Sequence, residues 1–332
     1  MGHIKITSTP YDDVFRTLLN DCRGLVIPLI NEVFGENYTG AEEITFSQNE
    51  HFLNQQDGNE EGRVTDASFL IHSGEAKRYH LECQSSADDS MLVRFFEYDT
   101  QIALDGGEVE GGVLTVTFPH SAVLFLRHKK STPDRMKVRM VTPGGELEYG
   151  IQVLKSQRYT VTEIFERNLL FLIPFHIFRH EKQFADYEGD EGKRRRLEED
   201  YMELREGLEK LLEQGKISEY TKCTLIDMSN KVLGHIARNY EAVMEGVREI
   251  MGGKVLEYEA KAIRNEGIEE GKEKGLKEGI EMGLEKGLEK GMEKGIKGTV
   301  SILRKLEIPS QTIQLKIQEQ YGLSQEESKK YL

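Results

Sequence analysis

The sequence predicts an α/β protein, with a mixed β-sheet flanked by helices in the first half and an all-helical second half. Three observations carry this. Segments rich in β-branched and aromatic residues fall at 63–71, 79–84, 122–126, 136–141 and 149–154, with helical periodicity between them. From Asp186 onward the composition turns to charged helix. Glycine then recurs at every fourth position from Gly267 to Gly295. At 332 residues the chain is long enough for one sizeable core and a smaller appendage. The expected division is a sheet domain over 1–185, a helical subdomain over 186–260, a repeat helix or tether over 261–298 and a small helical module over 299–332.

Thr9-Pro10-Tyr11-Asp12 has the grammar of a helix start, with a hydroxyl N-cap, proline at the first helical position and an acid soon after. Val14, Phe15, Leu18 and Leu19 follow at helical spacing. A second apolar helix is expected over 25–34, closed by Gly35. Residues 44–52 read as a first strand and 55–62 as a polar loop. Two strands come next, Arg63 to Ile71 and Tyr79 to Gln84, joined around His72-Ser73-Gly74-Glu75. Ser85, Ser86, Asp88 and Asp89 offer N-caps for a helix whose apolar stripe is Met91, Leu92, Phe95 and Ile102. Arg94, Tyr98 and Gln101 share one flank of it.

Gly106-Gly107 and Gly111-Gly112 punctuate a loop, and the continuous apolar run Ala122 to Leu126 reads as a buried strand. Arg127-His128-Lys129-Lys130 follows it, a basic cluster suited to a phosphate-binding rim or to a solvated strand end. A hairpin is expected around Pro143-Gly144-Gly145, then an apolar helix over 165–178 interrupted by Pro174. His176 and His180 stand four apart, the spacing of helical metal ligands. With no acid or cysteine in obvious register they read as packing and surface residues.

In the second half, Leu197, Leu204, Leu208 and Leu211 recur at helical spacing. The repeat, mostly Gly-[Ile/Leu/Met]-Glu-Lys, advances its apolar residues about 40° per unit, so the stripe spirals around a helix. Each interior glycine weakens that helix by ~0.8–1 kcal/mol relative to alanine. A marginal helix, ordered on pairing or docking, is the expectation, and contact between copies of the chain is its preferred use. Pro309-Ser310 opens another helix ended by Gly322, and Ser324-Gln325-Glu326-Glu327 is a capping-box start for the last.

The candidate chemistry lies in the first hairpin. Alternation places Glu82 and Gln84 on one face of their strand and Leu81 and Cys83 on the other. If the turn is centred near Gly74, Asp66 falls directly across from Glu82, with Cβ atoms roughly 4.5–5.5 Å apart. Two carboxylates that close repel unless a cation lies between them, and oxygen ligands of this kind suit Mg²⁺ or Mn²⁺. The plainer reading is a hairpin with a solvent-facing acidic pair.

Asp66, a hairpin, then Glu82-Cys83-Gln84 resembles the PD-(D/E)XK nuclease superfamily, and more narrowly its recombination-promoting nuclease and putative transposase branch, in which glutamine often replaces the motif lysine. Asp12-Asp13-Val14-Phe15-Arg16 resembles that family's N-terminal D-x-x-F-K helix, Arg94 to Tyr98 its R-x-x-x-Y helix, and Leu172-Ile173-Pro174-Phe175 its L-x-P-F segment. The similarity covers about 9–180. It implies a restriction-endonuclease-like core and Mg²⁺-dependent cleavage of DNA in the recombination or transposition of mobile elements. Asp66, Glu82 and the backbone carbonyl of Cys83 would hold the metal, with Asp12 a possible further acid. Gln84 would orient the attacking water, and Arg94 and Tyr98 would contact phosphate or support the site.

The formal charge of −14, from 58 acidic and 44 basic residues, runs against a simple nucleic-acid binder. Two other readings are therefore kept: a catalytically degenerate module that binds DNA or a protein, and a structural protein built on the repeat. Cys22, Cys83 and Cys223 have no paired spacing, which argues for a reducing compartment and against a zinc ribbon. The start lacks an apolar leader segment, and the apolar run from Leu169 to Ile173 is far short of the ~20 residues a membrane span needs. A cytoplasmic protein that binds DNA, forms homo-oligomers and does not enter membranes is the expectation.

Overall fold

The architecture, taken from a computed structural model that describes residues 10–46, 50–54, 60–64, 67–86 and 90–332, follows from where the apolar runs can bury. Helix α1 (Pro10–Asp21) and helix α2 (Val26–Phe34) form as expected, and Gly35 ends α2 at φ 67°, a left-handed conformation that glycine adopts without steric cost. The strands in order are β1 (Glu43–Phe46), β2 (Glu50–Asn54), β3 (Glu60–Val64), β4 (Ala67–His72), β5 (Lys77–Gln84), β6 (Glu108–Glu110), β7 (Val113–Thr115), β8 (His120–Phe125), β9 (Arg135–Thr142) and β10 (Gly145–Lys155). Helix α3 (Met91–Asp105) lies between β5 and β6 in the chain.

Six of these strands make a mixed sheet in the order β1-β4-β5-β8-β10-β9. β5 pairs parallel with β8, and β8 parallel with β10; the other pairings are antiparallel. Two small hairpins, β2–β3 and β6–β7, stand apart from it. The β4–β5 register runs from Ala67 opposite Leu81 to Ile71 opposite Lys77, which is the register of a turn centred near Gly74. One expectation is corrected. Arg63 and Val64 belong to β3 and pair with β2, so the segment expected as one strand over 63–71 is shared between two hairpins.

The sheet separates two cores. On one face Leu81, Cys83, Ala122 and Leu124 pack with α1, α2 and the segment 169–178. On the other, Val123, Phe125 and Ile151 pack under Met91 and Phe95 of α3. Each such buried Leu or Phe removes enough apolar surface from water to contribute about 1.5–3 kcal/mol. The helix expected over 165–178, interrupted by Pro174, is replaced by two shorter elements. Helix α4 (Val161–Glu166) ends early, Asn168 takes φ 56°, and Leu170–Arg179 runs as a 3₁₀ helix whose side chains from Leu170 to Phe178 are all buried. Pro174 has no N–H to donate to an α-helical ladder, and an apolar run enclosed on every side has no single face to favour that geometry.

Helices α5 (Phe184–Gly189), α6 (Glu191–Glu213), α7 (Glu219–Ile236) and α8 (Glu241–Ile250) follow. Asp190 caps α6 and Ser218 caps α7 through side-chain oxygens that accept from Lys193 N and Thr221 N. The repeat lies within one long helix, α9 (Gly253–Lys305), rather than a short or interrupted one. Helices α10 (Ser310–Tyr321) and α11 (Gln325–Lys329) close the chain, and Ser324 and Glu327 form the expected capping box. The chain divides into compact units at 1–265 and 266–332.

Candidate functional site

β5 lies inside the sheet, and its alternation decides what faces α3. Leu81 and Cys83 join the core beneath α1 and α2, while His80 meets Phe95, Tyr98 and Asp99 of α3. Glu82 shares the His80 face by the two-residue period. The outcome is a buried polar cluster: His80 and Asp99 are 0% exposed and Glu82 4%. His80 Nδ1 lies 2.6 Å from Asp99 Oδ1, and its Nε2 lies 3.1 Å from Glu82 Oε1. Ser121, opposite His80 on β8, donates to Asp99 Oδ1 at 2.7 Å.

Burial alone would push the His80 imidazole down. The bonds to Asp99 and Glu82 outweigh it and raise the ring to about 9. A charged imidazolium thus stands between two acids. Tyr149, on β10, has its hydroxyl pushed up, first by burial and then by the Asp99 charge.

The other sequence candidates are distributed as follows. Asp66 lies outside the described residues, so its pairing with Glu82 is not part of the geometry above. Gln84 ends β5 and is half-buried. Asp12 stands on α1, which packs against the sheet face opposite to Glu82. Arg94 is half-buried, with Nη2 3.7 Å from Met91 Sδ, and Tyr98 is buried with its ring edge-on to His80 at 6.1 Å. In the basic cluster after β8, Arg127 is held by Glu181 at 2.5 and 2.6 Å and stacks on Phe178, while Lys129 and Lys130 are exposed.

A second cluster corrects the sequence reading of two histidines. His176 and His180 are both 3% exposed, and an acid does meet them: Asp200 of α6. Its Oδ2 lies 3.1 Å from His176 Nε2 and 2.9 Å from His180 Nε2. Burial pushes the His176 ring down, while bonds from both imidazoles outweigh burial and hold the Asp200 carboxyl well below the usual carboxylate range.

No family model, curated protein or solved structure matches the chain. The site therefore has to be read from its own chemistry. Among the described residues no helix is long and apolar enough to cross a membrane. Sequence reading missed His80, Asp99 and Ser121 as members of the Glu82 cluster. The one signal available was His80 two positions before Glu82, hence on the same strand face.

Proposed function

We propose that this protein is a Mg²⁺- or Mn²⁺-dependent DNA endonuclease of the PD-(D/E)XK type, linked to recombination or transposition of mobile elements. The observation that supports it most is Glu82: an acid buried on an interior strand, beside a parallel neighbour, in a hairpin of the expected register. Asp66, Glu82 and the Cys83 backbone carbonyl would supply the hard oxygen set such a metal takes. A metal held there would polarise the scissile phosphate and lower the pKa of the attacking water.

His80 orients the Glu82 carboxylate through Oε1, and Asp99 with Ser121 holds His80 in turn. Gln84 hydrogen-bonds the water but adds no positive charge where the family pattern has lysine. Arg94 presents a planar fork to phosphate, and Tyr98 packs as scaffold against His80. Asp12 is the further acid. Contact between copies through the repeat completes the assembly.

One observation favours a second reading. Glu82 is almost wholly buried and already bonded to His80, the pattern of a satisfied core acid, and this suits a catalytically degenerate module that binds DNA or a protein. Nicking of supercoiled DNA in Mg²⁺ or Mn²⁺ separates the two. The enzymatic reading expects Asp66→Ala and Glu82→Gln each to lose at least about 100-fold in rate, since a ligand to the reacting metal is removed. Equal cutting by wild type and variants, or none by any of them, rejects it.

A further inference from the structure

The segment Leu170–Arg179 and helix α6 meet where two imidazoles converge on one carboxylate oxygen. His176 and His180 aim Nε2 at Asp200 Oδ2, and the three atoms lie within 4.8 Å of one another. In a tetrahedral site with arms of about 2.0–2.1 Å, neighbouring ligand atoms are roughly 3.3–3.4 Å apart. The two N···O edges, 3.1 and 2.9 Å, are within a few tenths of that.

The bonds behind His180 point the same way. The Tyr187 hydroxyl donates to Gln183 Oε1 at 3.2 Å. Its oxygen lies 3.2 Å from His180 Nδ1, where it can accept from that N–H. In the tautomer with its proton on Nδ1, the His180 ring turns the Nε2 lone pair toward the cluster, placed to share an ion with the Asp200 Oδ2 2.9 Å away. A metal-bound histidine donates its other ring N–H to an oxygen in this way.

We infer that His176, His180 and Asp200 form a binding site for a transition-metal ion of the Zn²⁺ class, distinct from the hard-cation site proposed at Glu82 and independent of that proposal. Two nitrogens and one oxygen select Zn²⁺ over Mg²⁺. The Asp200 side chain is 27% exposed, so solvent reaches the ion from that edge and a water completes the shell. Because its ligands come from the 3₁₀ segment, from the residue that follows it and from α6, the ion fastens segment to helix, and an ion that binds only the folded chain stabilises it by mass action.

The test uses the full chain stripped of metal and titrated with Co²⁺ alone, then with Zn²⁺ as competitor. The expected result is one Co²⁺ per chain with the strong visible bands of a four-coordinate nitrogen and oxygen site, displaced by Zn²⁺ and distinct from any weakly coloured Co²⁺ at the hard-cation site, and a melting temperature that rises with Zn²⁺. Asp200→Asn keeps the shape and an acceptor for the imidazoles, and His180→Gln keeps a polar side chain. Each should weaken the Co²⁺ binding that gives these bands at least tenfold, since even losing an outer-shell partner costs about 10–100-fold, whereas Glu82→Gln should leave the bands unchanged. A wild-type chain in which Co²⁺ gives no such bands and Zn²⁺ no stabilisation overturns the inference; protons, not a metal, then join the imidazoles to the carboxylate. Asp200→Asn and His180→Gln binding Co²⁺ as tightly as wild type overturns it equally.

Discussion

His80 shows how one residue can set the charge of a whole cluster. It is fully buried, yet Asp99 and Glu82 hold it protonated with a pKa raised to about 9. Its unfolded value is close to 6.5. A raised folded pKa contributes stability that is complete below the unfolded value and is lost as pH rises through the folded one. Metal-free protein should therefore lose on the order of 3 kcal/mol between pH 6.5 and about 9.5, measured by denaturant unfolding at stepped pH. His80→Gln should be less stable at pH 6 and should show no such slope across that window. A wild-type curve flat over the same range would mean that the ring is neutral and that Glu82 is not held by an imidazolium.

Two helices make their own predictions. In α6, a Cβ on Gly207 would fall within the Phe165 ring, so glycine here is what lets α4 and α6 approach. Gly207→Ala should destabilise the protein by about 1–3 kcal/mol, the usual cost of overpacking, although alanine is the better helix former. The repeat in α9 behaves oppositely. A Cβ on Gly279 or Gly283 meets nothing within 4 Å, so alanine at both should raise helicity, by about 1 kcal/mol per site, measured by thermal unfolding followed by circular dichroism. Leu276, Ile280 and Leu284 stand exposed beside these glycines. If copies of the chain pack there through the glycines, the same double alanine variant should also lower the subunit number in sedimentation. Unchanged assembly with greater helicity would leave the glycines no role in close approach.

Across the whole molecule, two units of unequal core should unfold separately. Residues 266–332 are held by Ile296, Val300, Ile313 and Ile317, a core much smaller than the main one of the sheet unit. Calorimetry should show two transitions, and Ile313→Ala should lower only the smaller one, since removing a fully buried isoleucine costs ~2–5 kcal/mol. A single transition shifted as a whole would show the units to be one cooperative body. Much of this architecture was legible in the residues, because it rests on local rules. Proline starts α1, glycine ends α2, alternation and a short turn set the β4–β5 register, and the Ser324 box starts α11. Those signals act within a few residues, where chain geometry leaves few choices. Sequence reading put Glu82 on the correct strand face but could not supply its neighbours. Asp99 reaches His80 because a helix crosses the sheet, and Asp200 reaches His176 from 24 residues away because α6 packs against a segment that proline keeps out of α-helix. Periodicity tells which way a side chain points, but not what another part of the chain will bring to meet it; packing settles that, once buried polar groups must find partners.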